Sequence, residues 1–228
     1  MIDPASAVRL SLVVALASTL VGLAPAVGAG WLLARGRFRG KSLLTAIIMA
    51  PLVLPPVVTG LLLLRAFGRS TPLGGLLEAA GLPISFSLFG AGVAALVVGF
   101  PLYVLSIRGA FEAVDPRYAE LSLTLGVPPR ATWRRITLPL ALPGVAAGAV
   151  LAFARALGEF GATAIIAGNI EGRTRTIALA VYALLDSPDG EAETTTLLLA
   201  SVSLSAAALL GYELLNRWQR RRLDLDVD

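Results

Sequence analysis

Two ionisable side chains interrupt an apolar run: Arg155 and Glu159 stand in Ala152-Phe-Ala-Arg-Ala-Leu-Gly-Glu-Phe-Gly-Ala-Thr163. Four residues apart on a helix, they share a face and can pair. A charge inside a membrane span is costly, so it usually has a role or a partner. Two readings stay open. Either the pair fixes helix packing, with the arginine snorkelling outward, or it serves a function within the membrane. Other chemistry is sparse. The chain has no histidine and no cysteine, which excludes imidazole metal sites, Ser-His nucleophiles and disulfides. No metal site and no cofactor of its own are expected. Gly36-Arg-Phe-Arg-Gly40-Lys41-Ser42 approaches a phosphate-binding loop. Three residues separate its glycines, where that loop needs four, and no strand precedes it. It reads as a basic turn between two spans, so any ATP chemistry would belong to a partner.

The elements that carry these residues follow from composition. Of 228 residues, 56% are hydrophobic and 15% charged, and mean hydropathy is +0.79. A water-soluble globule needs more surface charge than this, and disorder is excluded for the same reason. Windows free of charge run over 10–34, 42–64, 79–107, 136–154 and 194–212. About 20 apolar residues cross a bilayer, and they must be helical because lipid leaves an open backbone unsatisfied. The expectation is an all-α polytopic protein forming a single transmembrane domain over 1–228. Its five spans lie at about 10–34, 42–64, 86–107, 139–160 and 194–215. Pro51, Pro55 and Pro56 predict a kinked or broken second span. Gly144 and Gly148 predict close helix packing.

Basic residues orient the chain. The segments 35–41, 108–135 and the tail after 212 hold thirteen of the nineteen lysines and arginines. The positive-inside rule then places the N-terminus outside and the C-terminus in the cytoplasm. The net charge of +4 thus reflects topology, and no nucleic-acid partner is expected. Residues 161–193 read as an outer loop with an interfacial or re-entrant helix. The acidic run from Asp186 to Glu193 reads as solvated loop.

The cytoplasmic loop 108–138 is the informative part. Asp115 is a good N-cap, Pro116 fits a first helical position, and Gly126 can end a helix in a left-handed turn. These signals predict a short helix over about 117–125. Tyr118, Leu121, Ser122 and Leu125 would share one of its faces. That face is either a docking site for a partner or folded back on the protein's own spans.

Glu120-Leu-Ser, then Gly126, then Ile136-Thr-Leu138-Pro139 resembles the EAA loop of ABC-importer permeases, with Leu121 and Ser122 in place of two alanines. Val53-Leu-Pro-Pro-Val-Val-Thr-Gly60, the Arg155–Thr163 run, Gly168-Asn169-Ile170, Thr174-Arg175-Thr176-Ile177 and Pro188-Asp-Gly190-Glu191 are similar to molybdate permeases. Several of these are shared with sulfate permeases, and the last two favour molybdate. The resemblance covers about residues 8–220. It implies a type I ABC-importer permease fold in the cytoplasmic (inner) membrane of a prokaryote, multi-pass. It also implies a homodimer docked to two ATPase subunits and an extracytoplasmic molybdate-binding protein. The implied import of molybdate or tungstate is driven by the partner, so the chain is not itself an enzyme. The resemblance assigns Tyr118, Glu120, Leu121, Ser122, Leu125, Gly126, Leu138 and Pro139 to ATPase coupling. Arg155, Glu159 and Asn169 would line the path or gate, and Arg173 and Arg175 would meet an anion or the binding protein. A sulfate or thiosulfate permease is the nearest rival. A stand-alone secondary transporter or channel would need intramembrane carboxylates or a selectivity ring, and only Glu159 qualifies. A membrane enzyme lacks the paired carboxylates, histidine and cysteine that its chemistry would use.

Overall fold

A computed structural model describes residues 3–185 and 191–224. Among them the chain is helical throughout, without strands. Helix α1 (Pro4–Arg35), α5 (Leu88–Glu112) and α8 (Leu138–Leu157) form the packed centre, and α11 (Glu191–Asp224) lies along α8. Four helical stretches are long and apolar enough to cross a membrane: Pro4–Arg35, Leu88–Glu112, Pro129–Leu157 and Glu191–Trp218. Helices α2 (Lys41–Val53) and α3 (Pro56–Phe67) meet at a 115° bend and count as a fifth span only if taken together. The window 42–64 is thus broken rather than merely kinked. Pro55 and Pro56 supply no backbone donor there, and Leu54 lies in extended conformation ahead of them.

Helix α1 shows how a span packs when both its faces are apolar. Its buried stripe is Ala7, Ser11, Ala15, Ser18, Gly22, Ala26 and Gly30, among others. Leu16, Leu20, Val21 and Trp31 point outward. Lipid is as apolar as leucine, so the helix buries its small side chains to let backbones approach. A Cβ on Gly22 would lie 2.6 Å from Leu96 Cδ1, and one on Gly30 would lie 2.6 Å from Ile107 Cγ2. On α8 a Cβ at Gly148 would meet Ser106 Oγ of α5 at 3.1 Å. This is the close packing expected for that glycine.

The fourth span differs from its expected start near Pro139. Pro128 is extended and separates α6 from the next helix, and Pro129 begins that helix, α7 (Pro129–Thr132). Proline suits a first helical position because its missing N–H has no partner there anyway. A π-helical turn, Trp133–Thr137, then joins α7 to α8 without a break. The turn 36–40 between α1 and α2 is a turn, as expected, with Lys41 Nζ donating to the Gly36 carbonyl at 3.2 Å.

The segment 161–185 holds two short helices, α9 (Gly161–Ala167) and α10 (Ile177–Leu184). The remaining short helix is α4 (Pro72–Ala79). The acidic run is not all loop: Glu191 and Glu193 form the first turn of α11, where carboxylates favour the helix N-terminus, and 186–190 lie outside the described residues. Helix α9 packs on α3 at backbone distance. A Cβ on Gly60 would lie 2.8 Å from Ala162 Cα and 2.9 Å from its oxygen, and one on Gly161 would lie 3.0 Å from Pro56 Cβ. Gly60→Ala is therefore expected to destabilise the protein by about 1–3 kcal/mol through overpacking. Gly28→Ala has no atom within 4 Å and should be neutral or slightly stabilising. Thermal unfolding in detergent compares them, and equal melting of the two variants would contradict the α3–α9 seam.

Candidate functional site

The short helix α6 (Arg117–Thr124) stands between α5 and α7. Asp115 caps it as expected, its Oδ1 accepting from the Arg117 N–H at 2.8 Å. Its end is a Schellman turn. The Val127 N–H donates to the Ser122 carbonyl at 2.9 Å and the Gly126 N–H to that of Leu123 at 3.0 Å. Gly126 closes this turn at φ +73° with open space around its α-carbon. A side chain there is opposed only by backbone strain, about 1–2 kcal/mol for most residues and less for asparagine. The expected order of stability at this position is Gly, then Asn, then Ala, then Val. Thermal unfolding checks it, and an alanine variant as stable as wild type would contradict the turn.

The expected single face is split. Tyr118 and Ser122 turn inward: Tyr118 packs against the core of α1, α5 and α8 residues, and Ser122 is buried with its hydroxyl donating to the Tyr118 carbonyl at 2.8 Å. Leu121 and Leu125 turn outward, 60% and 80% exposed, with Leu123 beside them. The folded-back reading holds for the inward half. The inward half seats the helix and the outward half is open. Leu138 is half-buried in the same core, and Pro139 is exposed.

Glu120 is exposed and lines a cleft of about 330 Å³ together with Trp31, Arg35, Asp115, Leu123 and Trp133. The two tryptophan rings meet edge-on at 6.3 Å. Arg35 was missed as a site residue because it reads as one more positive-inside charge. It ends α1 and its Nη2 donates to the Phe111 carbonyl at 2.8 Å and to that of Val114. Phe111 lies in the last turn of α5 and Val114 just beyond it, at a helix end where carbonyls lack intrahelical donors and a cation is favoured. Arg35 thus holds the two spans at the base of α6.

At the far end of α8, Arg155 Nη2 and Glu159 Oε2 pair at 2.9 Å, as the spacing predicts. The helix stops at Leu157, so the pair crosses its end instead of running along a face. Glu159 is 2% exposed. Its other oxygen, Oε1, accepts from the Ala162 N–H at 2.8 Å in the first turn of α9. One carboxylate therefore joins α8 to the short helix seated on α3. The capping role gave no sequence signal.

The residues of the 168–175 loop behave differently. Asn169 Oδ1 accepts from Arg175 Nε at 2.8 Å, and Arg175 also pairs with Glu171 at 3.4 Å. Arg175 is thereby engaged within its own loop, and Asn169 braces it. Arg173 is exposed. Asn169 and Arg175 bond to each other and Arg155 to Glu159, so the structure does not bring the three together.

The fold and these two sites define a polytopic helical membrane protein. A short helix, α6, is rooted at one end of a long span, and an ion pair stands at the other. The chain belongs to the family of binding-protein-dependent transport system inner membrane components, whose model matches residues 26–224. It is 47% identical over 219 residues to the molybdenum transport system permease protein ModB of Haemophilus influenzae, covering 96% of each chain. It is 46% identical over 217 residues to ModB of Escherichia coli K12, covering 95% of each. Among solved structures, an inward-facing MetNI methionine ABC transporter chain matches with a TM-score of 0.74 at 20% identity, covering 93% of this chain and 94% of that one. The expected ABC-importer permease fold is therefore present.

Proposed function

We propose that this chain is the permease subunit of an ATP-driven, binding-protein-dependent importer of molybdate. The observation that carries the substrate is the end-to-end similarity to molybdenum permeases at 46–47% identity. The chain lies in the inner membrane with its N-terminus outside and its C-terminus in the cytoplasm. Two copies form the path at their interface. Each docks one ATPase subunit, which holds the ATP and magnesium, through the open half of α6. An external binding protein delivers the anion, with Arg173 on the receiving side.

The mechanism follows the line of rigid parts. Closure of the ATPases displaces α6. Tyr118 and Ser122 key that helix into the core, and the Schellman turn passes the displacement through α7 and the π-helical turn into α8. Helix α8 spans 20 residues, about 30 Å at ~1.5 Å per residue. Its far end moves the Arg155–Glu159 pair and, through the Glu159 cap, α9 against α3. Two states of one packed line then alternate access from outside to inside.

The test is ATP hydrolysis by the reconstituted permease–ATPase complex with its binding protein loaded with molybdate or with sulfate. Stimulation by the molybdate form alone is expected. Equal or greater stimulation by the sulfate form would retain the importer and reject the substrate.

A further inference from the structure

Arg155 carries more donor capacity than its partner uses. Its side chain is 28% exposed and meets Glu159 through Nη2. Among the described residues, no hydrogen bond reaches its Nε or Nη1. The contact with Glu159 is itself poorly directed. Glu159 Oε2 lies 2.9 Å from Nη2 yet is a buried oxygen without a well-aligned hydrogen-bond donor. A structural arginine–carboxylate clip is usually bidentate, two parallel N–H bonds filling both oxygens. Here the carboxylate gives one oxygen to the α9 amide and offers only the other to the arginine. The guanidinium is thus neutralised but not saturated, with donors at Nε and Nη1 unused on a side chain that is 28% exposed.

We infer that Arg155 is a transient binding site for a tetrahedral divalent oxyanion, and that Glu159 is the built-in competitor that makes the site release. This rests on the oxyanion-importer reading above. An arriving dianion takes the open guanidinium edge bidentately, as the fork geometry favours. The fixed negative charge of Glu159 beside it lowers the affinity, because the two anions share one cation. Glu159 stays in place, since its other oxygen caps α9. The site therefore never binds an anion as tightly as a lone buried arginine would. A path fed by a separate capture protein needs such weak binding to let its cargo through.

The test uses the intact permease–ATPase complex without binding protein, and equilibrium binding of radiolabelled molybdate, with chloride as a competitor. Glu159→Gln keeps an oxygen for the Ala162 amide and removes the charge. It is expected to tighten molybdate binding at least about fivefold and to slow turnover in transport. Glu159→Asp keeps the charge and should stay within about twofold of wild type. Arg155→Gln should abolish the binding. A purely structural clip predicts the opposite: Glu159→Gln and Arg155→Gln lower thermal stability together and leave anion binding unchanged, which would overturn the inference. Should Glu159→Gln not fold, Arg155→Gln decides alone, since equal molybdate binding by it and wild type overturns the site and loss supports it. Displacement of bound molybdate by chloride at equal concentration would also reject a dianion site. The importer reading fails separately, if no loaded binding protein stimulates the wild-type complex.

Discussion

Leu121→Asp combined with Leu125→Asp is expected to abolish capture of the ATPase subunit while leaving the membrane bundle as stable as wild type. The two leucines are 60% and 80% exposed on α6, and the helix is seated by Tyr118 and Ser122 from its other side. Substitution of residues that touch solvent shifts stability by no more than about 0.5 kcal/mol. In a docked complex the same positions would place two carboxylates against an apolar surface. Apolar anchors at the centre of an interface contribute about 2 kcal/mol or more each, so affinity for the ATPase should fall by a hundredfold or more, at about 1.4 kcal/mol per factor of ten. Co-purification and thermal unfolding of the same preparation measure both quantities. Unaltered melting with lost ATPase supports the docking face, whereas wild-type capture would contradict it. A matching pair, Tyr118→Ala with Ser122→Ala, should act in reverse order, lowering stability first and docking as a consequence.

Arg35→Ala carries the second large effect. It removes the donors that serve the Phe111 and Val114 carbonyls and leaves the end of α5 without its cation. A hydrogen bond to a charged group contributes about 1.5–3 kcal/mol. With Arg35 partly exposed, about 2 kcal/mol for the two together is expected once solvent screening is discounted. Asp115, the cap of α6, follows Val114 directly, so the loss should loosen the docking helix as well as the junction of α1 with α5. Arg35→Lys should recover part of the stability, because an ammonium serves as a point charge but lacks the planar fork. Melting temperature, together with proteolysis of the 113–117 connection, reports on both. An Arg35→Ala variant that melts with wild type and resists protease would show that the carbonyl clamp contributes nothing.

The class of fold was legible because lipid leaves the backbone so few options. Charge-free windows located most of the spans, and the cap and glycine signals placed α6 within a residue of its observed end at Thr124. Which face of a span turns inward was not legible from hydropathy. On α1 the buried and exposed stripes are both apolar, and only side-chain size separates Ala15 and Gly22 from Leu16 and Leu20. The division of α6 was hidden for a related reason. Tyr118, Leu121, Ser122 and Leu125 are neighbours by spacing, and the boundary between inward and outward runs between them. Three further features depend on distant partners. The 115° bend of α2 on α3 makes room for α9, whose close approach at Gly60 no local pattern announces. The π-helical turn at Trp133–Thr137 arises where a helix begun by Pro129 must join α8. Arg35 and Glu159 each serve a helix end remote in sequence or across a break. Arg175 is expected from the resemblance to meet an anion or the binding protein, and no local pattern announces that Asn169 and Glu171 engage it within its own loop.

If this chain carries molybdate across a membrane with energy from a docked ATPase, radiolabelled molybdate should accumulate inside sealed proteoliposomes. These would hold this chain, its ATPase and ATP inside, with the loaded binding protein outside. Accumulation against a gradient that needs both ATP and the binding protein, and that is lost with Leu121→Asp and Leu125→Asp, is the expected result. Molybdate that only equilibrates across the bilayer, at the same rate with and without ATP, would contradict it.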